Sequence, residues 1–235
     1  LKDEFSEQTL LDTGLFYFDE KKKVYVERFK GRLIFPINNI SSQIIALGGR
    51  IIEKSDYLAK YINSPETNFF KKGSNLYNLD FARKLSNKLD HIYLVEGYMD
   101  VVGLSKNGIE NVVANLGTSL TDKQILTLNQ FFDDIIICFD GDESGYKAAL
   151  RAAENSIKEL KPEKQISFLF LPDGEDPDSY VNKNGKNFFI DFTKQSKISI
   201  HQFIFGHYKK QTENNPSSMA IFEKKLRSIA NTIKD

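Results

Sequence analysis

The sequence predicts an α/β protein with an N-terminal α+β subdomain, a central domain whose mostly parallel sheet is flanked by helices, and a C-terminal helical segment. Three observations carry this reading. Apolar runs alternate with helical spacing between about residues 90 and 182. β-branched and aromatic runs broken by Gly, Pro and Asn fill most of the first 85 residues. From 183 onward the chain is polar, aromatic-studded and helical. The expected divisions are therefore 1–85, 86–182 and 183–235.

In chain order, Ser6 to Thr13 reads as a short helix stopped by Gly14. "KVYVERFKGRLIFPI" and "QIIALGGRII" read as strands, and helical spacing resumes at "LDFARKLSNKL". The central region then runs "IYLVEG", "MDVVGLSKNG", "NVVANLG", "TDKQILTLNQFF", "DIIICFDGD", "SGYKAALRAAENSIKEL" and "ISFLFLPDG", strand and helix in turn. Near-continuous apolar strands of this kind belong to sheets buried on both faces. Leu1 opens inside a helix-like run, which predicts a fragment excised from a longer protein.

With 235 residues, 40% hydrophobic and 12% aromatic, the chain can bury a core, which excludes a disordered polar chain. The single cysteine, Cys138, excludes a disulfide framework, and three histidines leave no Cys/His zinc site in this chain. A reducing, cytoplasmic compartment is expected. No signal peptide is visible and no apolar stretch approaches the ~20 residues of a membrane span, so no membrane association is expected.

Lys+Arg and Asp+Glu are both 32, but this balance is a cancellation. Residues 28 to 72 hold eight Lys/Arg against three acids, and residues 140 to 178 hold ten acids against five bases. Such asymmetry suggests a polyanionic partner. Three strands end in acids: Glu96 after "IYLV", Asp140 and Asp142 after "IIICF", and Asp173, Glu175, Asp176 and Asp178 after "ISFLFLP". Ligands of open α/β sheets bind outside the carboxyl ends of the strands. Neighbouring parallel strands would bring these carboxylates to one edge, where their repulsion calls for a hard divalent cation. Gly97 and Gly141 leave room for a phosphate or a metal's water shell. The plainer alternative is that each acid caps a helix or ends a strand in solvent, and for Asp142 the two readings stand level.

"VEGYMDVVGL", "NVVANLGTSLT", "ICFDGDESGYKAALRA" and "FLPDGEDPDSYV" together resemble the catalytic core of bacterial DnaG-type DNA primases, whose nucleotidyl-transfer site is a toprim domain. "RFKGRLIFPI", "IIALGGR" and "KYINSPETNFFKKGSNLYNL" resemble that family's N-terminal subdomain. The likeness runs from about residue 5 to about 190. It implies Glu96, Asp140 and Asp142 as principal catalytic and metal-site acids, with Asp100, Asp176 and Asp178 in the same cluster, holding two or more Mg²⁺ or Mn²⁺ ions. Asp100 also reads as an acid of a helix first turn, and Asp173 as a turn residue.

The resemblance implies a DNA-directed RNA polymerase that joins ribonucleoside triphosphates into short primers on a single-stranded DNA template, holding the RNA primer–DNA hybrid as it forms. A replicative helicase would be met through a domain absent from this chain, as is the family's zinc-binding domain. Arg50, Lys60, Tyr61, Asn63 and Lys72 match positions where the family holds template and nucleotide phosphate. Arg28, Lys30 and Arg32 alternate and, on a strand, would point to one face. Cations interleaved with an aromatic are what sequence-tolerant single-strand binding uses. The stretch Asn115 to Thr121, "NLGTSLT", reads equally as a phosphate-binding entrance to a helix and as a plain turn. A toprim nuclease, a topoisomerase fragment or a non-catalytic recombination mediator is the alternative function.

Overall fold

The computed structural model describes residues 4–117 and 119–233. Helix α1 (Glu7–Asp12) starts where the Ser6 hydroxyl accepts the Thr9 N–H. A hairpin of β1 (Phe16–Asp19) and β2 (Val24–Glu27) follows. Strands β3 (Arg32–Asn38), β4 (Ile44–Ile51) and β5 (Tyr61–Asn63) form an antiparallel sheet in that order. The segment "KVYVERFKGRLIFPI" is thus not one strand. Residues 28–31 turn, with Gly31 at φ 68°, and the expected one-face alternation of Arg28, Lys30 and Arg32 does not form. A positive φ is open to glycine without the Cβ clash other residues suffer, so Gly31 ends β2's path and starts β3's. "LDFARKLSNKL" gives only a short α2 (Leu79–Ala82) and a 3₁₀ turn over Arg83–Leu85.

The central sheet has the order β10–β9–β8–β6–β7. Its members are β6 (His91–Val95), β7 (Val112–Ala114), β8 (Asp134–Phe139), β9 (Gln165–Phe170) and the two-residue β10 (Ile198–Ser199). All pairings are parallel except β10 with β9. Between them run α3 (Tyr98–Lys106), α4 (Asp122–Leu128), α5 (Glu143–Ser156), α6 (Pro177–Asn184) and α7 (Lys186–Ser196). Helices α8 (Ile200–Lys210) and α9 (Pro216–Ala230) close the chain.

The period of two along each strand splits its side chains between two cores. Ile92, Leu94, Ile135, Ile137, Ile166 and Phe168 pack against α4, α5 and α8. Tyr93, Val95, Ile136, Cys138 and Leu169 face α3, α6 and α7 on the other side. Both faces are covered, which is why β8 is apolar at every position after Asp134. Asp134 itself is paired: it accepts hydrogen bonds from Ser167 and from Lys197.

A third core joins the antiparallel sheet to the central one. Phe35, Ile37, Ala46 and Phe70 pack against Tyr98 and Leu116. The Tyr98 ring stacks on Phe35 at 5.0 Å and meets Tyr77 edge-on at 4.7 Å. Its hydroxyl donates to Asn63 Oδ1 on β5. Offset and edge-on ring pairs contribute about 0.5–1.5 kcal/mol beyond their buried area, so Tyr98 fixes one sheet against the other.

Candidate nucleotidyl-transfer site

β6 and β8 are parallel neighbours, so their carboxyl ends deliver Glu96 and Asp140 side by side. The contact is direct: the Asp140 backbone N–H donates to Glu96 Oε1 at 3.4 Å. Asp142 follows as the N-cap of α5, accepting the Gly145 N–H at 2.7 Å through Oδ1. Capping and site membership are therefore compatible, because Oδ2 has no hydrogen-bond partner among the described residues. Gly141 between them serves a different end from the one expected. A Cβ there would fall 2.2 Å from the Pro172 carbonyl, so the glycine admits the loop after β9 and not a phosphate.

Asp100 sits in the first turn of α3, accepts the Gly97 N–H at 2.9 Å and is only 8% exposed. Asp176 caps α6 through the Ser179 N–H at 2.6 Å, and Asp178 accepts from Asn182 at 2.6 Å. Glu175 bonds Lys183 at 2.8 Å and is thereby neutralised, and Asp173 is exposed. Glu96, Asp100, Asp140, Asp176 and Asp178 line one cavity of about 630 Å³. Asp142 stands just outside that lining, close enough to repel both Glu96 and Asp140.

The electrostatics show what the site lacks. Burial, then repulsion from Glu96, Asp176 and Asp142, raises the Asp140 carboxyl to about 6. Asp100 is raised to about 7, chiefly by burial, with Asp140, Asp176 and Glu96 adding repulsion against the lowering effect of the Gly97 N–H. Glu96 is shifted upward by burial and by Asp142. None of these acids pairs with a Lys, Arg or His among the described residues. Among the described residues no three potential ligands converge into a tight cluster. An all-oxygen donor set with uncompensated, partly desolvated negative charge fits a hard divalent cation.

The opposite wall of the cavity is basic. Arg50 on β4 and Tyr61 on β5 are register partners, and the guanidinium lies 5.8 Å from the Tyr61 ring centre. Lys60 Nζ approaches the same ring at 5.6 Å. Lys72 opens a 3₁₀ turn whose carbonyls at Lys72 and Asn75 both accept from the buried Gln124 amide. Arg50, Lys60 and Lys72 make no ion pair among the described residues. Tyr61 registers Arg50 together with Asp100, Asp178 and Asp176, so cations and acids face one space.

The remaining basic-region residues lie elsewhere. Asn63 lines the cavity, but its amide is spent on the fold, accepting from Tyr98 and donating to the Leu116 carbonyl at 2.9 Å. Arg28 donates to the Gly14 carbonyl at 2.9 Å and lies over Tyr17; Arg32 donates to the Ala59 carbonyl at 2.9 Å. Lys30 is exposed, without a hydrogen bond or ion pair among the described residues. In "NLGTSLT", Thr121 caps α4 and donates to the Gly73 carbonyl at 2.6 Å, while Thr118 lies outside the described residues. Sequence reasoning missed Tyr98, whose signal was an aromatic placed next to the acid-bearing "EG".

Comparison with known proteins gives the following. A family described as "DNA primase catalytic core, N-terminal domain" matches residues 1–83, and a Toprim domain matches residues 90–170. The DNA primase of Pseudomonas aeruginosa is 42% identical over 198 residues, 84% of this chain and 30% of that protein. The chain spans about a third of the length of the curated relatives it matches. A crystal structure of a DNA primase domain from Pseudomonas aeruginosa superposes with a TM-score of 0.91 at 38% identity, covering 96% of this chain and 70% of that one. The catalytic core of E. coli primase gives 0.90 at 36% identity, covering 96% and 71%. A DnaG primase catalytic domain bound to single-stranded DNA gives 0.91 at 35% identity, covering 98% and 74%.

Proposed function

Starting from the fact that the chain belongs to the DnaG-type DNA primase catalytic-core family, we propose that it joins ribonucleoside triphosphates into short RNA primers on a single-stranded DNA template. The observation that carries the proposal is the single cavity with Glu96, Asp100 and Asp140 on one wall and Arg50, Lys60 and Lys72 on the other. In each addition the 3′-hydroxyl of the growing chain gives up its proton to water and its oxygen bonds to the α-phosphorus. The bond from that phosphorus to the bridging oxygen breaks, and pyrophosphate leaves with the electron pair. Toprim domains and this family imply a divalent metal, and we assign its holding here to Glu96, Asp140 and Asp142, with Asp100, Asp176 and Asp178 completing the negative wall. When bound, such an ion lowers the pKa of the attacking hydroxyl and stabilises the leaving pyrophosphate. Mg²⁺ or Mn²⁺ is the ion we propose.

The chain's other residues position the substrates. Arg50, Lys60 and Lys72 take phosphates of template and nucleotide, and Tyr61 offers a stacking face held between two cations. Asn63 contributes by fixing Tyr98 and Leu116, and of the Arg28, Lys30 and Arg32 group only Lys30 is left to reach an outlying phosphate. The working division is basic subdomain 1–85, toprim 86–182 and helical segment 183–235, with the helicase met through a further domain. A toprim nuclease or a non-catalytic mediator has no need of the primase N-terminal half. Among the described residues no helix is long and apolar enough to cross a membrane. The test is incubation with single-stranded template, labelled ribonucleotides and divalent metal. RNA products supports the proposal; template cleavage, or binding without products, overturns it.

A further inference from the structure

A second cavity, of about 250 Å³, adjoins the first: Glu96, Asn115 and Gly117 line both. None of the basic wall reaches it. Its cation is Arg151, carried by α5, which is exposed and makes no ion pair or hydrogen bond among the described residues. Its neighbours on that helix are already taken, Lys147 by Glu143 and Glu154 by Tyr208 and Lys225. Ser119 adds a hydroxyl at the rim. The inner wall holds Asn115, placed by the end of β7, only 8% exposed and with Oδ1 buried and unbonded. With Oδ1 out of solvent's reach, the end of the amide left to face an anion in the cavity is Nδ2, an N–H donor.

The space lies below the ~300 Å³ at which pockets enclose a whole drug-sized ligand, so it suits part of a nucleotide. A guanidinium fork, a hydroxyl and an amide match phosphate oxygens. We propose that the cavity bounded by Asn115, Ser119 and Arg151 is a phosphate subsite that takes the β- and γ-phosphates of the incoming ribonucleoside triphosphate and holds them as pyrophosphate after transfer. The proposal rests on the nucleotidyl-transfer reading above. It gives the "NLGTSLT" stretch a role through Asn115 and Ser119, not through the helix entrance at Thr121.

The test uses Arg151→Ala and Arg151→Lys, substitutions on an exposed helix position. Elongation of a 5′-hydroxyl RNA primer on a DNA template is followed across ribonucleotide and pyrophosphate concentrations. Calorimetric titration of magnesium pyrophosphate into parent and variants runs alongside. The expected result for Arg151→Ala is about a tenfold rise in nucleotide KM and in the pyrophosphate inhibition constant, the loss of one charge-assisted contact. Primer–template affinity should stay unchanged, and Arg151→Lys should recover part of the loss. Unchanged KM and inhibition constant in Arg151→Ala overturn the proposal. So does a defect confined to primers carrying a 5′-triphosphate, which would assign the cavity to the primer's 5′ end. Should the parent fail to elongate, the transfer reading falls and the titration alone decides: weakened pyrophosphate binding in Arg151→Ala supports the subsite, equal binding overturns it.

Discussion

Asp100→Asn is expected to stabilise the metal-free protein while impairing its function. Burial and three like charges raise the folded-state pKa of Asp100 to about 7, against an ordinary 3.8. The folded chain therefore binds more protons than the unfolded chain between these values, and stability falls as pH rises through that window. Above about pH 7 the full penalty applies, at most about 4 kcal/mol for one nearly buried carboxylate. Near pH 4 little of it remains. Asparagine keeps an oxygen for the Gly97 N–H and removes the charge. At roughly 2–4 °C per kcal/mol for a chain of this size, the variant should melt up to about 8–16 °C higher at pH 8 in chelator, and near the parent at pH 4. Saturating Mg²⁺ or Mn²⁺ should raise the parent's melting temperature more than the variant's. Thermal unfolding at pH 4, 6 and 8 reads all of this. A variant that gains nothing at pH 8, or gains equally at pH 4, refutes the reasoning.

Three further outcomes are expected. Asp140→Asn and Asp142→Asn should abolish RNA synthesis while single-stranded DNA affinity survives, and near-normal synthesis by both would remove these acids from the site. Arg50→Ala, Lys60→Ala and Lys72→Ala should each weaken single-stranded DNA binding and flatten its log–log salt dependence by about 0.7. Tyr61→Ala should instead lose roughly 1–3 kcal/mol with the slope unchanged, and cationic variants that keep parental affinity and slope would place the template elsewhere. Gly103→Ala would ordinarily favour a helix, but here its Cβ would fall 2.1 Å from Asp178 Oδ1. It should destabilise by about 1–3 kcal/mol through overpacking of α3 on α6, and a melting temperature at or above the parent's would contradict that packing.

Much of the central domain is legible in the sequence because its strands are mostly apolar, as burial on both faces requires, and β6, β8 and β9 are followed by acids. That the acids would meet depended on the strands being neighbours, and it is the fold that pairs β6 with β8, out of chain order, and so brings Glu96 to Asp140. The basic half was harder to read. Alternation of Arg28, Lys30 and Arg32 looks like a strand face, but Gly31 at positive φ makes a turn there, and two of the three side chains bond backbone carbonyls nearby. Asn63 looks like a polar contact for nucleotide, yet Tyr98, distant in sequence, takes its oxygen. Asn115 and Arg151 belong to separate segments, and only the fold, which sets α5 against β8 and α4, brings them to one cavity. Local periodicity carries no information about such pairings.

Whether the acid wall and the basic wall serve one reaction is decided by templated incorporation of a single nucleotide. An RNA primer annealed so that one defined template base comes next is incubated with each ribonucleotide in turn, in Mg²⁺ or Mn²⁺. The expected result is extension by the complementary nucleotide alone, lost in chelator, lost in Asp142→Asn and weakened in Lys72→Ala. Extension that persists in Asp142→Asn, or that ignores the template base, would contradict a shared site.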